Sequence, residues 1–286
     1  MINNLSESIP LSINLSGKLY SLKKPLVMGV ININDDSFFK GSRYTQTQQI
    51  IKGVEQMQQS GADIIDIGAA SSRPGAKLID ATSEIKILIP VLKTLVKEFP
   101  HLPFSIDTYH SQTAMAAVDD GAALINDISA GKIDEQMFKC VSHLKVPYIM
   151  MHMLGLPENM QHSPQYNNVV KETLGFFVER VGLARQCGIV DIIIDPGFGF
   201  GKTVEHNYIL LQQLSLFKIF NLPILAGLSR KSFINKIIHT NPENALNGTT
   251  VLNTIALLNG ANILRVHDVL EAKQAVELVH YYSSLN

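Results

Sequence analysis

Cysteine is scarce in this 286-residue chain: only Cys140 and Cys187 occur, far apart and both in helix-like segments, which reads as two buried or inert thiols. Long apolar runs are missing too. None approaches the length of a membrane span. The first fifteen residues, rich in Asn and Ser, lack the basic-then-apolar order of a secretory signal. Neither sign of charge dominates, with Lys+Arg 24 against Asp+Glu 25. That argues against a broad electrostatic footprint for nucleic acid or an anionic membrane, and leaves room for a local anion pocket. No Pro/Ser-rich linker or composition shift interrupts residues 25–282, and no close sequence repeat is found there. These absences lead us to expect a cytoplasmic protein with neither nucleic acid nor membrane as partner. Its 46% hydrophobic content suffices for a sizeable core.

The most informative stretch is Ile192-Ile193-Ile194-Asp195-Pro196-Gly197-Phe198-Gly199-Phe200-Gly201-Lys202-Thr203. Three consecutive β-branched residues predict a strand buried on both faces. Asp195 stands where that strand stops, and Pro196 with three glycines forces a turn that lets something approach the backbone. A buried carboxylate needs a polar or charged partner. Gly197 to Thr203 also reads as G-x-x-x-G-K-T, one residue short of a P-loop. Backbone N–H groups wrap the phosphate in that motif, so the missing residue argues against ATP binding.

Around this stretch the chain alternates short apolar runs with segments of helical spacing. Expected strands cover Pro25–Ile31, Ile64–Ile67, Phe104–Ile106, Ala123–Ile125, Pro147–Met151, Ile192–Ile194, Pro223–Ala226 and Asn262–Leu264. A helical segment follows each one, closing with Val269–Tyr282. Eight strand-plus-helix units in about 260 residues predict an α/β fold, a single-domain (β/α)8 TIM barrel over 25–282. An open doubly wound sheet is disfavoured, because Asn32-Ile33-Asn34-Asp35 stands where its Gly-rich dinucleotide turn belongs. Residues 1–24 form a short N-terminal extension. A turn at Ser16-Gly17 suggests a small hairpin closing the bottom of the barrel.

Polar or ionisable residues recur at the same end of every unit. They are Asn32, Asp66, Asp107, Asn126-Asp127, Met151-His152, Asp195, Ser229-Arg230-Lys231, and Arg265 with His267. Asp107, Asn126 and Asp195 suit a flat ring carrying several N–H donors and acceptors. Arg73, Lys231, Arg265 and His267 suit a diphosphate. Asn32, with water and phosphate oxygens, suits Mg²⁺. Taken singly, each has a bland reading. Asp107 could cap a helix, Asn126-Asp127 could be a turn, Arg73-Pro74-Gly75 a solvated loop, Lys231 a helix start with its head in water, and His267 a satisfied core histidine. Eight successive accidents at one end of a barrel are improbable, and the joint pattern favours a pocket for a phosphorylated heterocycle.

These residues fall into motifs: Met28-Gly29-Val30-Ile31-Asn32 with Asp36-Ser37-Phe38, Gly61 to Gly68 with Ser71-Ser72-Arg73-Pro74-Gly75, and Ser105-Ile106-Asp107-Thr108. Further along come Ile125-Asn126-Asp127-Ile128, Met151-His152-Met153, Asp195 to Lys202, Ser229-Arg230-Lys231-Ser232 and Arg265-Val266-His267-Asp268. Together they resemble the pterin-binding barrels, most closely the dihydropteroate synthase family. The resemblance implies condensation of 6-hydroxymethyl-7,8-dihydropterin diphosphate with 4-aminobenzoate, sulfonamides as competitors, Mg²⁺ as cofactor and a homodimer. Carried over by position, Asp107, Asn126, Asp195 and Lys231 would hold the pterin, with Asp66 and Met151 lining its site. Arg73, Arg265 and His267 would grip the diphosphate with Ser72 beside them, and Asn32 would ligate the metal. Ser72, Pro74, Phe200, Lys231 and Ser232 would edge the aminobenzoate pocket. Asn32, Asp36, Arg73, Asp107 and Lys231 are the catalytic candidates under this resemblance.

The sequence departs from the family pattern at Asn34-Asp35, where Thr-Pro is usual. Losing the proline frees φ, and Asp35 adds a charge near a diphosphate. We expect the turn still to work, since Asn32, Asp36 and Phe38 remain. Two other readings stay open on sequence grounds. One is a methyltetrahydrofolate:corrinoid methyltransferase, which needs no diphosphate grip. The other is a non-catalytic pterin-binding protein.

Overall fold

A computed structural model describes residues 11–33, 43–69, 78–155, 160 and 164–285. The described residues begin with a hairpin, β1 (Ser12–Leu15) and β2 (Lys18–Ser21), paired antiparallel about Ser16-Gly17. Both turn residues have positive φ, 49° and 84°, the conformation that matches the twist of a two-residue hairpin.

Strands and helices then alternate: β3 (Leu26–Asn32), α1 (Arg43–Gln59), β4 (Ile64–Gly68), α2 (Ala81–Glu98), β5 (Phe104–Asp107), α3 (Ser111–Asp119), β6 (Leu124–Asp127) and α4 (Met137–Leu144). They continue as β7 (Tyr148–Met151), α5 (Val169–Gln186), β8 (Ile192–Asp195), α6 (Val204–Gln212), β9 (Leu225–Ala226), α7 (Ser232–Ile238), α8 (Leu246–Leu258), β10 (Ile263–Val266) and α9 (Val269–Ser283). The eight strands β3 to β10 form one parallel sheet in the order β8-β7-β6-β5-β4-β3-β10-β9. A parallel bridge between Ile194 and Ile224 joins its two edges, so the sheet is a nearly closed barrel with the helices outside. This is the (β/α)8 architecture expected from the alternation. Ahead of α4 the Asp134 carboxylate accepts from the Ser111 and Gln136 amides.

The β-branched run behaves as its composition demands. Ile192, Ile193 and Ile194 are each 0–1% exposed, with Ile193 facing into the barrel and its neighbours facing the helices. Burial of each such side chain is worth roughly 1.5–3 kcal/mol. The barrel floor is apolar, built from Met28, Ile64, Leu124, Ile149, Ile193, Leu225 and Ile263. Ile13 and Leu15 of the hairpin pack into that same cluster. The N-terminal extension thus plugs the lower mouth and leaves the upper mouth for other work.

Candidate active site

Side chains along a strand alternate faces, so two residues above each floor residue lies another that points inward. From Ile64, Leu124, Ile149, Ile193, Leu225 and Ile263 that step reaches Asp66, Asn126, Met151, Asp195, Gly227 and Arg265. Parallel pairing places Asp107 beside Asn126, and Asp195 beside Met151. Asp66, Asp107, Asn126, Asp195 and Arg265 are therefore one polar layer of the barrel interior. Asp107, Asn126, Met151, Asp195, Phe200, Gly227, Lys231 and Arg265, with Ile128, line a common cavity.

One wall of that cavity is an ion cluster. Arg265 Nε donates to Asp66 Oδ2 at 2.7 Å, and its Nη2 donates to Asp107 Oδ2 at 2.9 Å. Asn126 Nδ2 donates to the same Asp66 oxygen at 2.9 Å. Asp66 Oδ1 is buried without a hydrogen-bond partner among the described residues, an acceptor of the kind a ligand N–H could meet. Burial pushes the Asp107 carboxyl up to about 7, against the pull of the Arg265 guanidinium. Burial also works against the Arg265 charge, but Asp66 and Asp107 outweigh it and hold its pKa above the usual arginine range. Glu84, buried on α2, accepts from Thr108 Oγ1 at 2.6 Å, and burial raises its pKa.

The facing wall is built by the loop after β8. Asp195 Oδ1 accepts from the Gly197 amide at 2.8 Å, and burial raises its pKa despite Lys231. Lys231 Nζ donates to the Phe198 carbonyl and lies 4.8 Å from the centre of the Phe200 ring, a cation–π contact. Burial lowers the Lys231 pKa to about 8, with Asp195 opposing. Gly197 and Gly201 let this loop press against the chain after β7. A Cβ on Gly197 would stand 1.9 Å from the His152 carbonyl oxygen, and one on Gly201 2.5 Å from that of Leu154. The cavity is narrow, about 10 Å³, so a bicyclic ring enters only if a wall moves.

Among the sequence candidates, Asp66, Asp107, Asn126, Met151, Asp195, Phe200, Lys231 and Arg265 come together. Asn32 ends β3 with its side chain exposed, and Ser232 opens α7, also exposed. His267 follows β10, and its Nδ1 shares a hydrogen bond with Ser229 Oγ at 2.9 Å. Asp36, Ser72, Arg73, Pro74 and the Asn34-Asp35 departure lie outside the described residues. Several bland readings fail. His110, not Asp107, occupies the N-cap of α3, and Asn126 lies within β6. The Lys231 ammonium is turned onto a carbonyl and a ring rather than into water. Arg230, next to Lys231 in the chain, turns away from the cavity. Its Nη2 and Nε donate to Asp268 at 2.7 and 2.9 Å, and its Nη1 donates to the Pro242 and Glu243 carbonyls. Its φ of 57° aims it there and leaves Lys231 facing inward.

Comparison with known proteins agrees with this geometry. Residues 28–267 match the family model described as pterin binding enzyme. The dihydropteroate synthase of Escherichia coli strain K12 is 37% identical over 265 residues, covering 92% of this chain and 93% of that protein. The chain belongs to the dihydropteroate synthase family. It is accordingly a transferase of folate synthesis. Among solved structures of the family, the Yersinia pestis dihydropteroate synthase in a sulfonamide drug complex superposes with a TM-score of 0.90. It is 35% identical and covers 96% of this chain and 100% of its own. The Xanthomonas albilineans dihydropteroate synthase with 4-aminobenzoic acid gives 0.89 at 35% identity, covering 97% and 100%.

Proposed function

We propose that this chain joins 6-hydroxymethyl-7,8-dihydropterin diphosphate to 4-aminobenzoate, giving 7,8-dihydropteroate and diphosphate, with the site residues in the following roles. The convergence of Asp107, Asn126, Asp195, Lys231 and Arg265 on one cavity carries this reading. A pterin edge offers adjacent N–H donors and ring acceptors. Asp195 accepts from that edge, and Asn126 supplies donor and acceptor together. Asp66 Oδ1 and Asp107 complete the acidic side, and Met151 packs against the ring. Arg265 and His267, with Arg73 and Ser72, draw the diphosphate. The neutral arylamine attacks the pterin methylene, the C–O bond breaks with its electron pair leaving on the diphosphate, and the nitrogen then sheds its proton. The cations act on charge that grows as that bond breaks, the preorganised electrostatic contribution.

The donor chemistry near Asn32 fits Mg²⁺. A single exposed amide oxygen at a strand end, completed by water and substrate phosphates, is how this hard cation is often held. Among the described residues no cluster of three or more His, Cys, Asp or Glu forms a metal cage, so the substrate itself would complete the shell. Bound there with Asn32 and assisted by Asp36, the ion would supply positive charge to the leaving group.

The arylamine half falls to Phe200, Lys231 and Ser232, with Ser72 and Pro74. The relatives solved with 4-aminobenzoic acid and with a sulfonamide support binding of an arylamine here and competition between the two. Incubating the pure protein with the pterin diphosphate, 4-aminobenzoate and Mg²⁺ tests the reading by formation of dihydropteroate. Calorimetric binding of the diphosphate without turnover would instead favour a pterin-binding protein.

A homodimer belongs to the same proposal. Val251, Ile255 and Leu258, at i, i+4 and i+7 of α8, are exposed, as are Ile237 and Ile238 of neighbouring α7. An apolar stripe of this kind suits a second copy of the chain. Ile255→Asp should yield monomers in sedimentation, and an unchanged mass would reject the interface. We also place the protein in the cytoplasm, with 25–282 as its catalytic unit and 1–24 as the cover. Unpaired Cys140 and Cys187 suit a reducing compartment, and among the described residues no helix is long and apolar enough to cross a membrane.

A further inference from the structure

We propose that Lys202 is a positioning residue for the arylamine half of the site, locking the 196–201 loop against residues 152–154 so that Phe200 and the Phe198 carbonyl meet Lys231. The assignment to the arylamine half rests on the function proposed above; the lock itself does not.

Lys202 is 3% exposed. Its Nζ donates to the Gly197 carbonyl at 2.9 Å and the Phe200 carbonyl at 3.0 Å, and lies 3.0 Å from His152 Nδ1. The His152 carbonyl is a longer fourth contact, at 3.4 Å. An ammonium has three N–H donors, and here each has a short acceptor, so no donor remains for a substrate. The lysine of the near-P-loop motif is thus consumed by its own loop. Two of its acceptors belong to that loop, and the imidazole belongs to the chain after β7. The Tyr166 hydroxyl adds a bond to the Gly201 carbonyl at 2.9 Å.

What the lock positions is specific. Asp195 pairs with Met151 in the sheet, so the ladder fixes its backbone, while its Oδ1 accepts from the Gly197 amide of the loop. Phe198 and Phe200 lie beyond the ladder, and their carbonyl and ring are what Lys231 touches. Loss of the lock should therefore act most on the arylamine pocket and reach the pterin edge only through the Gly197 amide that donates to Asp195.

Charge adds a second signature. Burial lowers the Lys202 pKa to about 7, opposed by Asp195 and aided by Lys231. Burial, with Lys202 and then Lys132, keeps His152 neutral. Above neutrality the amine therefore has two N–H groups for three acceptors, and the loop loosens.

Lys202→Met tests the proposal. The KM for 4-aminobenzoate should rise about tenfold or more, and that for the pterin diphosphate by a smaller factor, about threefold. Hydrogen exchange across 196–201, measured without substrates, should quicken. Unchanged arylamine KM, equal rises in both KM values, or wild-type exchange would overturn the proposal. Should this variant not fold, the wild-type protein decides. Its 196–201 amides should lose protection between pH 6 and 8.5 beyond the intrinsic rise in exchange, and constant protection would overturn the lock. A wild-type protein that makes no dihydropteroate but shows these exchange effects would refute the proposed reaction and keep the lock.

Discussion

Arg265→Met isolates the cluster at the heart of the barrel. The substitution keeps the stem's apolar bulk and removes the guanidinium. It deletes the 2.7 Å bond to Asp66 and the 2.9 Å bond to Asp107. Asp66 is 0% exposed and Asp107 8% exposed, so two carboxylates lose their cation away from water. Breaking a buried pair from one side costs about 3–5 kcal/mol. Protonation limits that cost, and the limit depends on pH. Asp107 has a folded pKa raised to about 7, so the folded protein binds its proton more firmly than the unfolded chain. In the wild type this carboxyl lowers stability as pH climbs from the ordinary carboxylate range to about 7, and adds nothing further above that. Without Arg265 the folded pKa moves higher still, and the loss continues past 7 at about 1.4 kcal/mol per pH unit. Urea unfolding of both proteins at pH 6 and pH 8 should show a destabilisation larger at pH 8 by roughly 1.4 kcal/mol. A difference independent of pH, or a total below about 1 kcal/mol, would refute the assignment of Arg265 as the counter-ion of Asp107.

Three other outcomes follow from the same geometry. Asp195→Asn replaces an acceptor with a donor at the pterin edge and should weaken pterin diphosphate binding by about 10- to 100-fold in calorimetry. Its melting temperature should not fall, because burial already disfavours the charge. The Lys231 pKa is lowered to about 8, so its cation is present below that pH and lost above it. Activity should fall about tenfold per unit at higher pH as one proton leaves, and a flat profile to pH 9.5 would count against Lys231. Gly197→Ala places a methyl 1.9 Å from the His152 oxygen at a φ of 72°, and should destabilise by about 3 kcal/mol or more in denaturant titration. Wild-type stability there would mean that the loop is not packed as described.

Much of the barrel was legible in the chain because its signals are local. The β-branched run at 192–194, the alternation of strands and helices, and Ser16-Gly17 in its turn each depend on neighbours a few residues away. The recurrence of polar residues at one end of every unit was legible in the same way. Partner choice was not legible. Arg230 and Arg265 both stand near strand ends, yet one braces Asp268 and the other bonds to two carboxylates in the interior. Nothing around Lys202 in sequence announced that His152, fifty residues earlier, would accept one of its hydrogen bonds.

The chain by itself determined which residues face inward and at which end of each strand, because side-chain direction follows from backbone geometry alone. Closure of the barrel decided which of them meet. Arg265 reaches Asp66 across 199 residues of chain, and that distance vanishes only when the last strand pairs with the first.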